Sequence, residues 1–311
     1  MIVTVTMNPA IDKTVEIDML KVGGLNRIKK VEYDAGGKGI NVSKTICELG
    51  GESIATGFLA GNTGKTIEAV LDEMKIPHDF IWVEGETRTN TKIFEESGYV
   101  TELNESGPEI SDEHVELLLQ KLSSLANENV LFVLAGSIPK GVHSDIYARI
   151  IHLVHEKGAQ VLMDADGELF RLALEAKPDI IKPNHLELKH YISETEGEGE
   201  LVDDFVAQVS LLRRKGIKTI AISMGKDGAL FLINDKMISC PALMVQAHST
   251  VGAGDAMVAA LSYAWSEHLN EEETARLCIA TSAGAVTTVG TKPPTRKVVE
   301  ILKDKVILRE V

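Results

Sequence analysis

The sequence has few cysteines and no long hydrophobic run. Its 311 residues include three cysteines, Cys47, Cys240 and Cys278, and their scattered spacing gives neither a disulfide framework nor a zinc site. No apolar run approaches the length that spans a bilayer. The N-terminal residues alternate like a strand and lack the basic and apolar regions of a signal peptide. We therefore expect a cytoplasmic protein with reduced cysteines.

Positive charge is also in short supply. The 32 Lys and Arg residues are outnumbered by 46 Asp and Glu, so the formal net charge is −14. Neither nucleic acid nor an anionic membrane is an expected partner of such a chain. An acidic protein that handles phosphates must supply positive charge at particular points, which makes single Lys and Arg residues beside Gly-rich turns informative. Lys38, Arg27 and Arg88 are of this kind.

Short β-branched runs alternate with amphipathic helical stretches along most of the chain. Three such runs are each followed by a helical pattern: 54–59 by 63–74, 130–135 by 144–155, and 161–164 by 168–175. This alternation indicates βαβ units, so the sequence predicts an α/β fold with a central, largely parallel sheet flanked by helices. The acidic run at 193–200 predicts a solvated loop before a helix at 201–215.

Two segments interrupt the alternation. The segments at about 13–35 and 86–104 each consist of extended stretches that no helix separates, which predicts antiparallel strands outside the main sheet. We expect these segments to pair as a small β lid on a single domain that comprises residues 1–311. Because a thin antiparallel sheet is marginally stable and carries exposed edges, we also expect a homodimer through the lid.

The sharpest motif is a glycine-rich loop, Val251-Gly252-Ala253-Gly254-Asp255, that opens a helical pattern at 256–265. Its glycines let the backbone approach a ligand closely, and the N–H groups of the first helical turn form an anion site. Asp255 would then lie beside a transferring phosphoryl group, where it can accept the proton of an attacking hydroxyl. On the loop alone, an ordinary helix cap is an equally good interpretation of Asp255.

A second glycine-rich loop, Ala35-Gly36-Gly37-Lys38-Gly39-Ile40-Asn41-Val42-Ser43, opens a helix near the N-terminus. Together the two loops resemble the signatures of the ribokinase-like (PfkB) sugar kinases, and the resemblance covers essentially the whole chain. It implies a ribokinase-like fold and ATP-dependent phosphorylation of a sugar, with a catalytic set of Asp255, Gly252, Ala253 and Gly254. Many members carry an acidic residue where this chain has His248, and a variable residue there is typical of the branch that uses phosphorylated ketohexoses.

The resemblance also assigns residues to the sugar phosphate. Taken alone, Asp12 is equally well a turn residue and a lid Arg a solvated surface charge. In the family, however, the Asp that matches Asp12 accepts sugar hydroxyls. The forms Leu-Asn-Arg at Arg27 and Thr-Arg-Thr-Asn at Arg88 resemble the 1-phosphofructokinase branch, whose basic lid residues clamp the sugar's phosphate. The implied substrate-binding set is Asp12, Arg27, Gly36, Gly37, Lys38, Asn41, Arg88 and Ser137.

On the nucleotide side, Asn184 and Glu187 resemble the family's Asn-x-x-Glu motif, which implies that Glu187 helps to hold Mg²⁺, through water. Residues 223–228 resemble the family's nucleotide loop, and small residues at 280–284 could pass close to adenine. Without the resemblance, Asn184 and Glu187 are interpreted as a helix start and residues 223–228 as a hairpin turn. The small residues at 280–284 then indicate tight helix packing. The implied ATP-binding set is Lys182, Asn184, Glu187, Ser223, Gly225, Gly228, Val251 and Ala283.

The reaction we expect is phosphorylation of fructose 1-phosphate to fructose 1,6-bisphosphate. Tagatose-6-phosphate kinase and 6-phosphofructokinase activities stay open on the same scaffold, because residues 164–168 only loosely match the Asp-Thr-Ser-Gly-Glu usual in the fructose branch. A rival of another class is a non-catalytic sensor of sugar phosphates or nucleotides. Retention of Asp255 together with Lys38, Asn184 and Glu187 argues against a sensor, since a sensor needs no base.

Overall fold

The computed structural model describes residues 1–196, 204–248 and 250–311. In chain order its strands are β1 (Ile2–Thr6), β2 (Ala10–Ile17), β3 (Lys30–Gly36), β4 (Ser53–Ala60), β5 (Ile81–Val83), β6 (Arg88–Glu95), β7 (Val100–Asn104), β8 (Leu131–Ala135), β9 (Gln160–Asp164), β10 (Ile180–Ile181), β11 (Thr219–Ser223), β12 (Ala229–Ile233), β13 (Lys236–Cys240) and β14 (Arg309–Glu310). Its helices are α1 (Lys38–Glu48), α2 (Gly61–Glu73), α3 (Asp112–Leu125), α4 (Ile146–His155), α5 (Gly167–Glu175), α6 (His185–Glu196), α7 (Phe205–Arg214), α8 (Ala253–Ser266), α9 (Glu271–Ala285) and α10 (Arg296–Lys303). Within the described ranges, every helix is too short or too polar to cross a bilayer.

The main sheet has the strand order β14-β13-β12-β11-β10-β9-β8-β1-β4-β5 in the described part of the chain. Neighbours from β11 to β5 run parallel, whereas β12, β13 and β14 continue the sheet antiparallel. The predicted central, largely parallel sheet is therefore confirmed. Because the parallel strands all end at the same side, the turns that follow them meet along one carboxyl edge.

Helices cover both faces of this sheet. Side chains alternate along a strand, so Val3 and Val5 of β1 face one layer while Ile2 faces the other. The first layer contains apolar residues of α3 to α7, and the second contains those of α1, α8, α9 and α10. Since α1 and α8 pack on the same face, both glycine-rich loops lie at the same part of the carboxyl edge.

A smaller sheet, which we call the lid sheet, has the order β3-β2-β6-β7. As predicted, each of the two lid segments contributes an antiparallel pair, β2 with β3 and β6 with β7. The two pairs join through parallel pairing of β2 with β6, in a register that places Asp12 opposite Asn90. Pattern alone did not predict this parallel seam, because it depends on two segments that lie far apart in sequence.

The first part of the acidic run, residues 193–196, is helical where we expected a loop. Helix α6 continues to Glu196, so the prediction of a loop at 193–196 is wrong. Glutamate is a good helix former, and His190 and Glu194 form an i,i+4 pair that supports the last turns. The rest of the predicted loop and the predicted helix start at 201 fall at 197–203, outside the described residues. Helix α7 begins at Phe205, where the Asp204 side chain caps it by accepting from the amide of Ala207.

Candidate active site

Cavities open on both sides of the loop that precedes α8, at the carboxyl edge of the parallel strands. One cavity, of about 330 Å³, lies between this edge and the lid sheet, and Gly252 and Asp255 line it. Another, of about 420 Å³, lies beside the β11–β12 turn and α9, and Ala253 and Gly254 line it. We call them the lid cavity and the outer cavity. The glycine-rich loop is thus the wall that they share.

The conformation of this wall suits an anion. Gly252 precedes α8 with φ of 84°, in the left-handed region that glycine adopts without strain. The amides of the first turn have no intrahelical acceptor, and the positive end of the helix dipole lies at the same place. Because the wall separates the cavities, a phosphoryl group bound to these amides can be reached from both sides.

Asp255 is buried in the first turn of α8. Asn41 of α1 donates a hydrogen bond of 2.9 Å from its Nδ2 to Oδ2 of Asp255. Burial raises the pKa of the Asp255 carboxyl to about 6, although the nearby Lys38 ammonium acts in the opposite direction. The group is therefore mostly a carboxylate at neutral pH and yet accepts a proton readily, which is the property of a general base.

The cations of the lid cavity come from two elements. Arg88 and Lys92 occupy alternate positions of β6, so their side chains emerge on the same face of that strand, and Lys38 begins α1. Lys92 lies 3.6 Å from Asp12, measured from Nζ to Oδ1, and both side chains are buried. Arg88 donates to the carbonyl oxygen of Asn8 at 2.9 Å. These three cations supply positive charge at particular points of the cavity, beside the carboxylates of Asp12, Asp166 and Asp255.

Several oxygens around the lid cavity are buried without a hydrogen-bond partner in the described part of the chain. They are Thr6 Oγ1, Asn8 Oδ1, Asn41 Oδ1, Asn90 Oδ1 and Thr291 Oγ1. Buried polar atoms normally find partners, so a group of unsatisfied oxygens at one cavity indicates a ligand rich in hydroxyl groups. Together with the three cations, they suit a polyhydroxylated ligand that carries an anion.

Most of the residues predicted for the sugar phosphate surround the lid cavity: Asp12, Gly37, Lys38, Asn41, Arg88 and Ser137 line it. Gly36 lies behind Asp12, where a Cβ atom would stand 2.6 Å from Oδ2 and displace the carboxylate. Arg27 does not line the cavity of the single chain, and its role stays a prediction. Its loop, between β2 and β3, projects from the lid sheet, because neighbours such as Leu25 and Ile28 are exposed and do not anchor it.

The outer cavity collects half of the eight residues predicted for the nucleotide. Ser223, Gly225, Gly228 and Ala283 line it. Val251 lies in the lid cavity instead, because the loop turns at Gly252 and separates it from Ala253.

Lys182, Asn184 and Glu187 line neither of the two cavities. Lys182 is buried beneath the loop, with its Nζ 3.6 Å from the place where a Cβ atom on Gly254 would lie. Asn184 and Glu187 cap α6 reciprocally: Asn184 Oδ1 accepts from the amide of Glu187, and Glu187 Oε2 accepts from the amide of Asn184.

The lining residues that the predicted sets do not contain include Thr6, Asn90, Lys92 and Thr291. A signal for two of them was present, since Arg88, Asn90 and Lys92 alternate on β6 and such residues share one face of a strand. Thr291 follows α9 in an irregular segment, and nothing in the local pattern marks it. Its place in the site depends on the tertiary fold.

Comparisons with known proteins agree with this geometry. The family model described as pfkB family carbohydrate kinase matches residues 5–297. A curated 1-phosphofructokinase from Bacillus subtilis is 36% identical over 307 residues, covering 98% of each chain, and one from Vibrio cholerae is 34% identical over 289 residues, covering 93% of this chain and 90% of that protein. Phosphofructokinase-2 from Escherichia coli, solved with substrates and products, is 25% identical with a TM-score of 0.91 over 98% of both chains. Ribokinase from Thermotoga maritima shares the fold, with a TM-score of 0.78 at 21% identity over 97% of this chain and 99% of that one.

Replacing Asp255 with Asn should stabilise the protein at neutral pH. The folded state raises the pKa of Asp255 from 3.8 to about 6, so it binds this proton more tightly than the unfolded state does. The stability that this proton supplies is present below pH 4 and is lost as pH rises through 6. Urea unfolding should show Asp255→Asn more stable than wild type by roughly 1–3 kcal/mol at pH 8, and similar to it at pH 4. If Asp255→Asn and wild type were equally stable at both pH values, the raised pKa of the buried Asp255 carboxyl would be contradicted.

Proposed function

The chain belongs to the pfkB family of carbohydrate kinases, and on that premise we propose that it transfers the γ-phosphoryl group of ATP to fructose 1-phosphate. The product would be fructose 1,6-bisphosphate. The curated relatives from Bacillus subtilis and Vibrio cholerae carry the name 1-phosphofructokinase, which supports fructose 1-phosphate over other sugars.

One observation carries the proposal: Asp255 is buried in the wall between a polar, cationic cavity and an apolar one. Phosphoryl transfer needs a donor and an acceptor on opposite sides of the transferred group, roughly in line. A sugar phosphate in the lid cavity and a nucleotide in the outer cavity meet this requirement at the glycine-rich loop. A non-catalytic sensor would need neither this shared wall nor a carboxylate buried at the cost of stability.

In the proposed reaction, the 6-hydroxyl of the sugar attacks the γ-phosphorus while its proton passes to Oδ of Asp255. A new O–P bond forms, the bond between the γ-phosphorus and the bridging oxygen breaks, and ADP leaves with that electron pair. The amides of Gly252 to Asp255 would donate hydrogen bonds to the phosphoryl oxygens, where negative charge is held in the transition state. Asp255 then returns its proton to solvent.

The substrate's phosphate is assigned to the two cations of β6 in the lid cavity. Arg88 can take two phosphate oxygens with its planar fork, and Lys92 adds a point charge. Lys38, whose ammonium acts on the carboxyl of Asp255, is assigned to the transferred phosphoryl group. Asp12, held beside Lys92, is placed to accept sugar hydroxyls. Arg27 does not line the cavity of the single chain, and its contact with the phosphate stays a prediction.

The metal that a kinase uses with its nucleotide is assigned here to Mg²⁺. Among the described residues, no group of three or more His, Cys, Asp or Glu side chains could hold a metal by itself. Mg²⁺ commonly keeps several waters and binds one or two carboxylates plus substrate phosphates, so such a group is not required. Glu187 lines a groove with Asp166 at the same edge, which fits a carboxylate that holds Mg²⁺ through water. Bound there, Mg²⁺ would neutralise charge on the triphosphate.

We extend the proposal to assembly: the whole chain acts as one kinase domain whose lid, about 13–35 and 86–104, forms a homodimer. Large apolar side chains are exposed on the lid sheet, including Val31 and Tyr33 of β3 and Leu103 of β7. Exposed apolar patches of this kind often mark interfaces between proteins, and a sheet of few strands gains stability when it is covered.

The reaction is tested by ADP release from purified protein with Mg²⁺ and ATP, comparing fructose 1-phosphate, tagatose 6-phosphate and fructose 6-phosphate. We expect the highest kcat/KM with fructose 1-phosphate, and a loss of about 1000-fold in kcat for Asp255→Asn because the amide cannot accept the proton. Without sugar, ATP hydrolysis should be slow. A higher kcat/KM with a 6-phosphate would contradict the sugar assignment alone, and no turnover with any sugar phosphate would favour the sensor.

The lid interface is tested by the mass of the protein in solution. Wild type should be dimeric by light scattering at micromolar concentration, and Tyr33→Glu should weaken the dimer at least about tenfold, because it would bury a charge. Leu117→Glu, on an exposed apolar position of α3, is the matched control and should stay dimeric. A monomeric wild type, or a Tyr33→Glu variant that dimerises as wild type does, would overturn the lid interface.

A further inference from the structure

Asp164, at the end of β9, is buried and forms two ion pairs that the proposed reaction does not yet use. Its Oδ2 lies 3.3 Å from the ammonium of Lys38, and its Oδ1 lies 3.3 Å from the ammonium of Lys182. Asp164 is 2% exposed and Lys182 is 4% exposed. One carboxylate therefore joins two ammonium groups that come from different parts of the chain.

The two ammonium groups lie at different parts of the glycine-rich loop. Lys38 lines the lid cavity, where the sugar phosphate is assigned. Lys182 lies beneath Gly254, which lines the outer cavity. The carboxylate of Asp164 thus links the acceptor side of the proposed reaction to the donor side.

The backbone of Asp164 is fixed in the main sheet. Asp164 pairs with Ala135 of β8 in the parallel sheet, and its carbonyl oxygen accepts from the amide of Gly136 at 3.0 Å. Burial alone would raise the pKa of Asp164, but the ammonium groups of Lys182 and Lys38 outweigh it, and the pKa is lowered. The side chain is therefore a fixed negative charge between two positive ones.

Stability alone is a weak reason for such an arrangement. Buried ion pairs often contribute no more than well-packed apolar residues of similar size, because desolvation offsets their attraction. Electrostatic stabilisation of a transition state, in contrast, needs charges that already point at the place where charge develops. An ammonium group on a long side chain meets this need only if something holds it.

We propose that Asp164 is a positioning residue that holds the ammonium groups of Lys38 and Lys182 on the two sides of the transferring phosphoryl group. The inference rests on the proposed function. Asp164 acts through the two lysines and does not contact the reacting atoms. Its removal should therefore reduce kcat more than it changes KM, because the ammonium groups of the two lysines are no longer held in position while both binding cavities stay in place.

The acid limb of the pH profile of kcat/KM supplies a second readout. Substitution of a residue with a merely structural role would not shift this limb. Lys38 and Asn41 of α1, Lys182 before α6, and Asp164 of β9 all act on the carboxyl of Asp255. Lys44 of α1 also interacts with it. Asp164 raises the pKa of Asp255, whereas the two paired lysines and Asn41 lower it. Removing the charge of Asp164 should therefore move the acid limb of kcat/KM to lower pH.

The test compares Asp164→Asn with Asp179→Asn, using the intact chain, Mg²⁺, ATP and fructose 1-phosphate. Asp179 is a matched control: it is also buried, its two carboxylate oxygens contact Lys218 and His155 at 2.9 Å each, and it lies at the opposite edge of the sheet. We expect Asp164→Asn to lower kcat about 100-fold with KM changed less than about threefold, and to move the acid limb. Asp179→Asn should lower the melting temperature while kcat stays within about twofold of wild type and the limb does not move.

If wild type turns over and the two variants behave alike, this inference is overturned and the proposed function stands. If wild type does not turn over fructose 1-phosphate or either 6-phosphate, both fall. Should Asp164→Asn fail to fold, Asp164→Asn in a Lys182→Met background leaves one ammonium group unpaired instead of two. Its acid limb should lie at lower pH than that of Lys182→Met alone, and coincident limbs would refute the role of Asp164.

Discussion

The hydrogen bond from Asn41 to Asp255 is the contact on which the site most depends. It joins residues 214 positions apart, one in the first turns of α1 and the other in the first turn of α8. Both helices pack on the same face of the sheet, so this contact brings the two glycine-rich loops together at the carboxyl edge. The lid cavity, the outer cavity and the wall between them all follow from that convergence.

Charge at this point is balanced locally, in a chain whose formal net charge is −14. Burial makes the carboxylate of Asp255 costly, and the ammonium groups of Lys38 and Lys182 offset part of the cost. The charge of Asp164 acts against that of the two lysines and raises the pKa of Asp255. The result is a carboxyl poised between proton acceptor and proton donor, which a base in phosphoryl transfer requires and which stability alone would not favour.

Much of this arrangement could be predicted from sequence because it depends on local pattern. The alternation of strands and helices predicted the parallel sheet, and the glycines before α1 and α8 predicted two loops at helix starts. What pattern could not supply was long-range pairing. The parallel seam of β2 with β6, the contact of Lys92 with Asp12, and the place of Thr291 all depend on segments distant in sequence. Arg27 shows a different limit: its motif is local, but its exposed loop does not place it at the cavity of a single chain.

The most direct test of Asp255 as the base is the pH dependence of kcat/KM for wild type with fructose 1-phosphate, which reports the free enzyme's essential groups. The account predicts an acid limb with a midpoint near the raised pKa of Asp255, about 6. A profile that stays flat as pH falls towards the ordinary pKa of an aspartate, about 4, would contradict it. In that case the buried carboxyl would not be the group that accepts the proton.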